Sequence, residues 1–332
     1  MRFENIRMMT AKKETRGHCI ICHRDNQIMS DEHVIPDAIG GFLHINTICK
    51  ECNSKLGANV DKLLIDNWLI KIARYKHHLK GHSGTVPHPL IGEGVMENGE
   101  KVRMEIDENG RLSPHIIPSA PRYSEDGKHV SFSVDSKDAK HIERIKETIL
   151  KRNKLDGQKY ITEDSTQEMK IENPCITIRT SIDVKNYLLA LLKMAYEFTV
   201  TQCPAYEMDS KAKQYAQILS DADTNRIDDI SILSNHFLDR NFKIFEPCID
   251  NNENRHILLL TEIKNQLVCI VKIFDIFGVY FLMSDSSYGK SGTNGVIAIN
   301  DYKYRRCDVY TIDEVLRKTI RIVSGEIQID KI

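Results

Sequence analysis

The chain lacks any run of 18 apolar residues, and residues 1–10 (MRFENIRMMT) are polar and charged. A membrane helix needs about 20 consecutive apolar residues and a secretory leader needs an apolar core of its own, so neither is expected. A surplus of either charge is also missing: 46 Lys and Arg against 47 Asp and Glu give a net charge of −1. That excludes a polybasic coat wrapped in nucleic acid. There is no phosphate-binding glycine loop, since Gly289-Lys290-Ser291 has the right ending but Ser284 stands where the upstream glycine is required. No internal repeat and no low-complexity tract is present.

What is there is a globular composition with one unusual segment. Apolar residues make up 41% and charged residues 28%, an ordinary globular balance, and a length of 332 predicts two domains, or three, with real cores. The charge is uneven. Residues 1–82 carry 13 Lys and Arg against 9 Asp and Glu and hold seven of the 13 histidines, so this end is mildly positive. Nine cysteines are an odd number, and four of them form two pairs, Cys19-Ile20-Ile21-Cys22 and Cys49-Lys50-Glu51-Cys52, 26 residues apart. Paired CxxC spacing favours a metal over a disulfide framework. Four thiolates fill a tetrahedral shell at about 2.3 Å, which makes a structural zinc site with no vacancy. Thiols free to bind zinc point to a reducing, cytoplasmic setting. The single cysteines 175, 203, 248, 269 and 307 are expected in the core.

The expected fold is α+β. Residues 18–60 form the cysteine-bracketed module, and apolar residues from Val60 to Tyr75 recur at helical spacing, in a helix that either runs on from about Asn53 or breaks at Gly57. Residues 81–89, rich in His, Gly and Pro, read as a linker. Asn98-Gly99 and Asn109-Gly110 are hairpin turns of a three-stranded meander over residues 93–117. A short strand is expected at 130–134, a charged helix at 138–154 and a strand at 175–178. Asp183 is a candidate N-cap for a long apolar helix to Val200, and another helix covers 211–219. Three antiparallel strands follow at 257–260, 267–274 and 279–283, and a helix at 311–322 closes the chain. The expected division is a module of residues 1–85 and an α+β region of 90–332 with antiparallel meanders and packed helices, with a possible sub-boundary at 155–173.

Between the cysteine pairs stand Glu32-His33-Val34-Ile35-Pro36, then Gly40-Gly41, then Asn46, and the second pair runs on as Cys52-Asn53-Ser54-Lys55. This combination resembles the HNH endonucleases, over about 45 of the 332 residues. The resemblance implies a ββα-metal module: a strand bearing Glu32 and His33, a turn at Gly40-Gly41, a returning strand and a helix from about Asn53. It implies hydrolysis of phosphodiester bonds in DNA, with RNA also open as substrate. A hard ion, Mg²⁺ or Mn²⁺, would sit on oxygens of Glu32 and Asn53. His33 would be the general base and Asn46 would orient it. Asp31 is the alternative carboxylate ligand, His44 the alternative orienting or ligating residue, and Asn53 also suits a helix cap.

Residues after 90 carry no chemical motif, and recognition of substrate, homodimer or partner contact, and restraint of the nuclease until activated all remain open for them. Restriction or anti-phage defence is the setting by analogy with the family. The competing reading is a non-catalytic zinc module that binds nucleic acid or a protein.

Overall fold

The computed structural model describes residues 15–81, 83–118, 122–125, 130–152, 174–180, 182–230, 232–233, 254–274, 277–323 and 326–329. The chain is α+β and divides into two units. Met1–Val86 and Ile182–Ile332 form the first, and Pro87–Ser181 the second. The division expected from sequence, 1–85 against 90–332, therefore groups the chain differently: the cysteine module shares a unit with the C-terminal half. The physical reason is core size. The module is too short to enclose its own apolar residues, so Val34, Ile35, Ile39, Ile48, Leu56 and Leu64 are buried in one cluster with residues of the C-terminal half. The sub-boundary at 155–173 lies outside the described residues.

In the first unit, strands β1 (Arg16–Gly17), β2 (Gln27–His33) and β3 (His44–Cys49) form a small antiparallel sheet in that order. Helix α1 (Lys50–Leu56) follows directly, with Cys49 as N-cap accepting from the Cys52 amide. It begins three residues before Asn53 and does not break at Gly57. A π-turn over Gly57–Asp61 carries it into α2 (Lys62–Asp66). The break comes at Asn67, whose extended backbone ends α2 and whose side chain caps α3 (Trp68–Lys76).

The centre of the unit is α5 (Val184–Gln202; α4, Ile142–Arg152, belongs to the second unit). Asp183 caps it by accepting from Asn186, and the helix is buried almost all round. Helix α6 (Ser210–Asp221) packs on it and on the main sheet. That sheet has six antiparallel strands in the order β10-β13-β12-β11-β14-β15, namely Ile232–Leu233, Phe277–Ser284, Gln266–Ile273, Arg255–Ile263, Val296–Asp301 and Arg306–Thr311. Alternation along the strands feeds two cores. Leu258, Leu260, Cys269, Val271 and Phe281 face α5 and the cysteine module. Ile257, Leu259, Val268, Ile270 and Tyr280 face α7 (Ile312–Thr319) through Ile312 and Val315. The closing helix is shorter than expected, because residues 320–323 form β16 against β17 (Glu326–Ile329). Of the single cysteines, Cys203 and Cys269 are buried, Cys307 is half-buried and Cys175 is exposed; Cys248 lies outside the described residues.

The second unit holds the expected meander, β4 (Gly92–Met96), β5 (Lys101–Ile106) and β6 (Leu112–Ile116), with Gly99 and Gly110 at positive φ in its turns. The strand pair β7 (Arg122–Tyr123) and β8 (Val130–Ser131), α4 (Ile142–Arg152) and β9 (Ile176–Thr177) also belong to it, and β9 pairs with β4. The strands expected at 130–134 and 175–178 are thus two residues each. No helix of the described residues is long and apolar enough to cross a membrane.

Candidate active site

The four cysteines converge. The sulfurs of Cys19, Cys22, Cys49 and Cys52 lie within 4.8 Å of one another. A tetrahedral zinc with bonds of about 2.3 Å needs sulfurs about 3.8 Å apart, so this cluster can hold the ion. The backbone already serves the sulfurs: the Cys49 amide donates to Cys19 Sγ at 3.4 Å and the Cys52 amide to Cys49 Sγ at 3.5 Å. Burial pushes the Cys22 thiol up, but Arg24 Nε, 3.3 Å from the sulfur, and the neighbouring sulfurs outweigh it and lower the thiol to about 7.

The frame fixes one end of a hairpin. β2 and β3 pair at Met29↔Cys49 and Ser30↔Ile48, then at Glu32↔Ile45 and His33↔His44. Asp31 therefore opposes both Asn46 and Thr47, a bulge that re-aims the side chains around it. Asp31 and His44 are exposed and hydrogen-bonded, His44 Nδ1 to Asp31 Oδ1 at 3.0 Å. The His33 ring packs on the His44 ring with centroids 4.0 Å apart. Asn53, on the first turns of α1, donates its amide to Ser30 Oγ at 3.0 Å and to the Asp31 carbonyl at 3.2 Å. Its amide nitrogen is thus committed to β2, which leaves its side-chain oxygen for another role. Lys55 is held by Glu51 at 2.9 Å.

The other end of the hairpin is fixed from the main sheet. Gly40 sits at φ 83, and a Cβ there would stand 2.4 Å from Tyr302 Cβ. A Cβ on Gly41 would stand 1.7 Å from the Ile35 carbonyl oxygen. Only glycine lets the chain pass at both positions. Asn300 clasps the turn, donating to the Gly40 carbonyl at 2.8 Å and accepting from the Phe42 amide at 2.7 Å. His256 Nε2 lies 2.8 Å from the Ile39 carbonyl, and its Nδ1 accepts from the Phe274 amide at 2.9 Å. Donation from Nε2 and acceptance at Nδ1 define the neutral tautomer, and burial lowers this histidine to about 4.

The expected site residues do not all gather on one face. His33 and Asn53 stand with Asp31 and His44. Asn46 is exposed on β3 in the bulge, and the His44 ring packs against that of His33. Glu32 is placed differently from the expectation. Strand alternation turns it inward, where it is 4% exposed and its carboxylate pairs closely with the Lys193 ammonium of α5. The fully buried Lys193 also bonds Asp61 Oδ2 at 3.0 Å and the His33 carbonyl at 3.1 Å, with Glu197 Oε1 at 3.8 Å. Burial pushes the Glu32, Asp61 and Glu197 carboxyls up, and Lys193 pulls each back. The Lys193 ammonium is itself held charged: burial opposes the charge and the surrounding carboxylates outweigh it.

Sequence reading missed Lys193 and Asp61. A lysine inside the apolar run of α5 is a signal for the first, because a buried ammonium requires carboxylate partners. Nothing local marks Asp61. No characterised protein and no solved structure matches the chain. Residues 19–69, which span the cysteine frame, the His33 hairpin and the helices that close it, match the family model of the HNH endonucleases.

Proposed function

We propose that the chain is a metal-dependent HNH endonuclease that hydrolyses phosphodiester bonds in DNA. The carrying observation is the outward edge of the hairpin, where His33 stands against His44, and His44 is bonded to Asp31, beside Asn53 on α1. In this reading His33 is the general base, since an imidazole accepts a proton near neutral pH. The Asp31–His44 pair orients its ring in place of Asn46. The four thiolates hold a structural zinc that keeps β3 and α1 in position.

The outward oxygens suit a hard divalent ion, Mg²⁺ or Mn²⁺. They are the Asp31 carboxylate, 67% exposed, and the Asn53 side-chain oxygen. Such an ion would offset the charge on the scissile phosphate and favour an ionised water. Glu32, expected as a ligand, instead orders the strand from behind through Lys193, which also bonds the His33 carbonyl and so fixes the backbone of the proposed base.

The test is cleavage of plasmid DNA by the full chain with Mg²⁺ or Mn²⁺, with EDTA abolishing it. His33→Ala is expected to lower the rate by about 10²–10⁴. Cleavage by His33→Ala at the wild-type rate would overturn the assignment of the base. DNA binding without cleavage under any of these metals would favour the non-catalytic reading.

A further inference from the structure

A second cluster of metal-ligating side chains lies beside the cysteine frame and takes no part in the proposed chemistry. His18, His23 and Glu207 each offer one ligand atom, and these atoms lie within 4.8 Å of one another. His18 and His23 flank the first cysteine pair. Glu207 comes from the turn Pro204–Met208 that follows α5. Both imidazoles point at the same carboxylate oxygen: His18 Nε2 is 2.7 Å and His23 Nδ1 3.3 Å from Glu207 Oε1.

We propose that His18, His23 and Glu207 form a second zinc site, separate from the four cysteines, that clamps the first knuckle to the turn after α5. The donor set is two imidazole nitrogens and one carboxylate oxygen, which suits a borderline divalent transition ion such as Zn²⁺. Zinc bonds of about 2.0–2.1 Å to nitrogen set ligand atoms about 3.3 Å apart in a tetrahedron; His23 Nδ1 already stands 3.3 Å from Glu207 Oε1, and the 2.7 Å separation of His18 Nε2 needs to open by about half an ångström. Three protein ligands leave the fourth position to water.

The supporting shell is present. The second ring nitrogen of His18, Nδ1, lies 2.7 Å from Asp25 Oδ1. A metal-bound histidine characteristically donates its other N–H to a carboxylate, which orients the ring and leaves the ligating nitrogen with its lone pair aimed at the ion. The scaffold on each side is fixed. Tyr206, the neighbour of Glu207, is fully buried, with its ring centroid 6.4 Å from that of Tyr196 and 6.1 Å from that of Tyr288. Tyr196 in turn donates its hydroxyl to the Ile20 carbonyl at 2.6 Å, so α5 already grips the knuckle that carries both histidines. Glu207 is mostly buried, with a side chain 16% exposed. An ion here would join residues 184 to 189 positions apart in the chain.

The experiment is metal stoichiometry on the full-length protein. After equilibration with zinc and removal of unbound ion, elemental analysis should find two zinc ions per chain. Glu207→Ala and His23→Ala should each hold one, a loss of half the metal with the cysteine site still filled. One zinc in the wild type, or two in both variants, would overturn the proposal. Cobalt titration of the metal-free wild type gives an answer that does not depend on a variant folding. One equivalent should bring thiolate-to-cobalt charge-transfer absorption, and another should add visible d–d bands with no further thiolate band. Saturation at one equivalent would refute the second site.

Discussion

Lys193→Met deletes one ammonium and keeps an unbranched side chain of similar reach on α5. In the wild type that ammonium is completely buried, pairs with Glu32, bonds Asp61 at 3.0 Å and stands 3.8 Å from Glu197. The variant strands the carboxyls of Glu32 and Asp61 in an apolar interior, with the His33 carbonyl losing a donor as well. Breaking a buried pair from one side costs about 3–5 kcal/mol. At about 2–4 °C per kcal/mol for a unit of this size, the melting temperature should fall by roughly 6–20 °C at pH 7.5. The pH dependence follows from linkage. All three carboxyls are raised by burial, so the folded state binds protons more readily than the unfolded chain. Their contribution to stability is present in acid and falls as pH rises above the ordinary carboxylate range. Lys193 opposes that rise, and its own raised value means its contribution persists up to the ordinary lysine range and is lost only above it. Removing it should therefore cost most at neutral pH and least near pH 5. Urea and thermal unfolding followed by circular dichroism at pH 5 and 7.5 measure both numbers. A deficit below about 1 kcal/mol at pH 7.5, against the expected 3–5, would refute the reasoning. So would a deficit equal at the two pH values.

Other expectations follow from the same structure. Cys52→Ser, or zinc removal by a strong chelator, should unfold the hairpin and abolish DNA cleavage; bound zinc and far-ultraviolet dichroism check this. Gly41→Ala brings a Cβ against the Ile35 carbonyl oxygen. It should destabilise by about 3 kcal/mol or more in chemical denaturation, at the upper end of overpacking costs. His256 is buried neutral and lowered to about 4, so the unfolded chain binds its proton first. Stability should fall as pH drops from about 6.5 towards 4, a slope that His256→Gln removes in pH-dependent melts. Asp31→Asn should slow plasmid cleavage and raise the Mg²⁺ concentration needed, with an unchanged melting temperature, since the Asp31 side chain is exposed.

The meander of the second unit and α5 were legible because their signals are local. Asn98-Gly99 and Asn109-Gly110 occupy turns whose positive φ suits glycine, and Asp183 caps α5. The frame of Cys19, Cys22, Cys49 and Cys52 was legible because CxxC spacing constrains the sulfurs over a few residues. Helix ends were less so: α1 begins at Lys50 because Cys49 serves as its cap, which the Asn53 signal concealed.

What the amino-acid sequence determined by itself was the α+β class, the four-sulfur frame and the presence of His33 and Asn53 in an HNH-like order. Tertiary structure alone decided which way Glu32 points. Its neighbours on β2 do not distinguish a ligand from a buried anion; the answer lies in Lys193, 161 positions later, and in the bulge that sets the register. The same holds for the Gly40-Gly41 turn, which is shaped by Tyr302, Asn300 and His256 from the far end of the chain. A segment this short cannot bury its own face, so its geometry is completed by whatever core it joins.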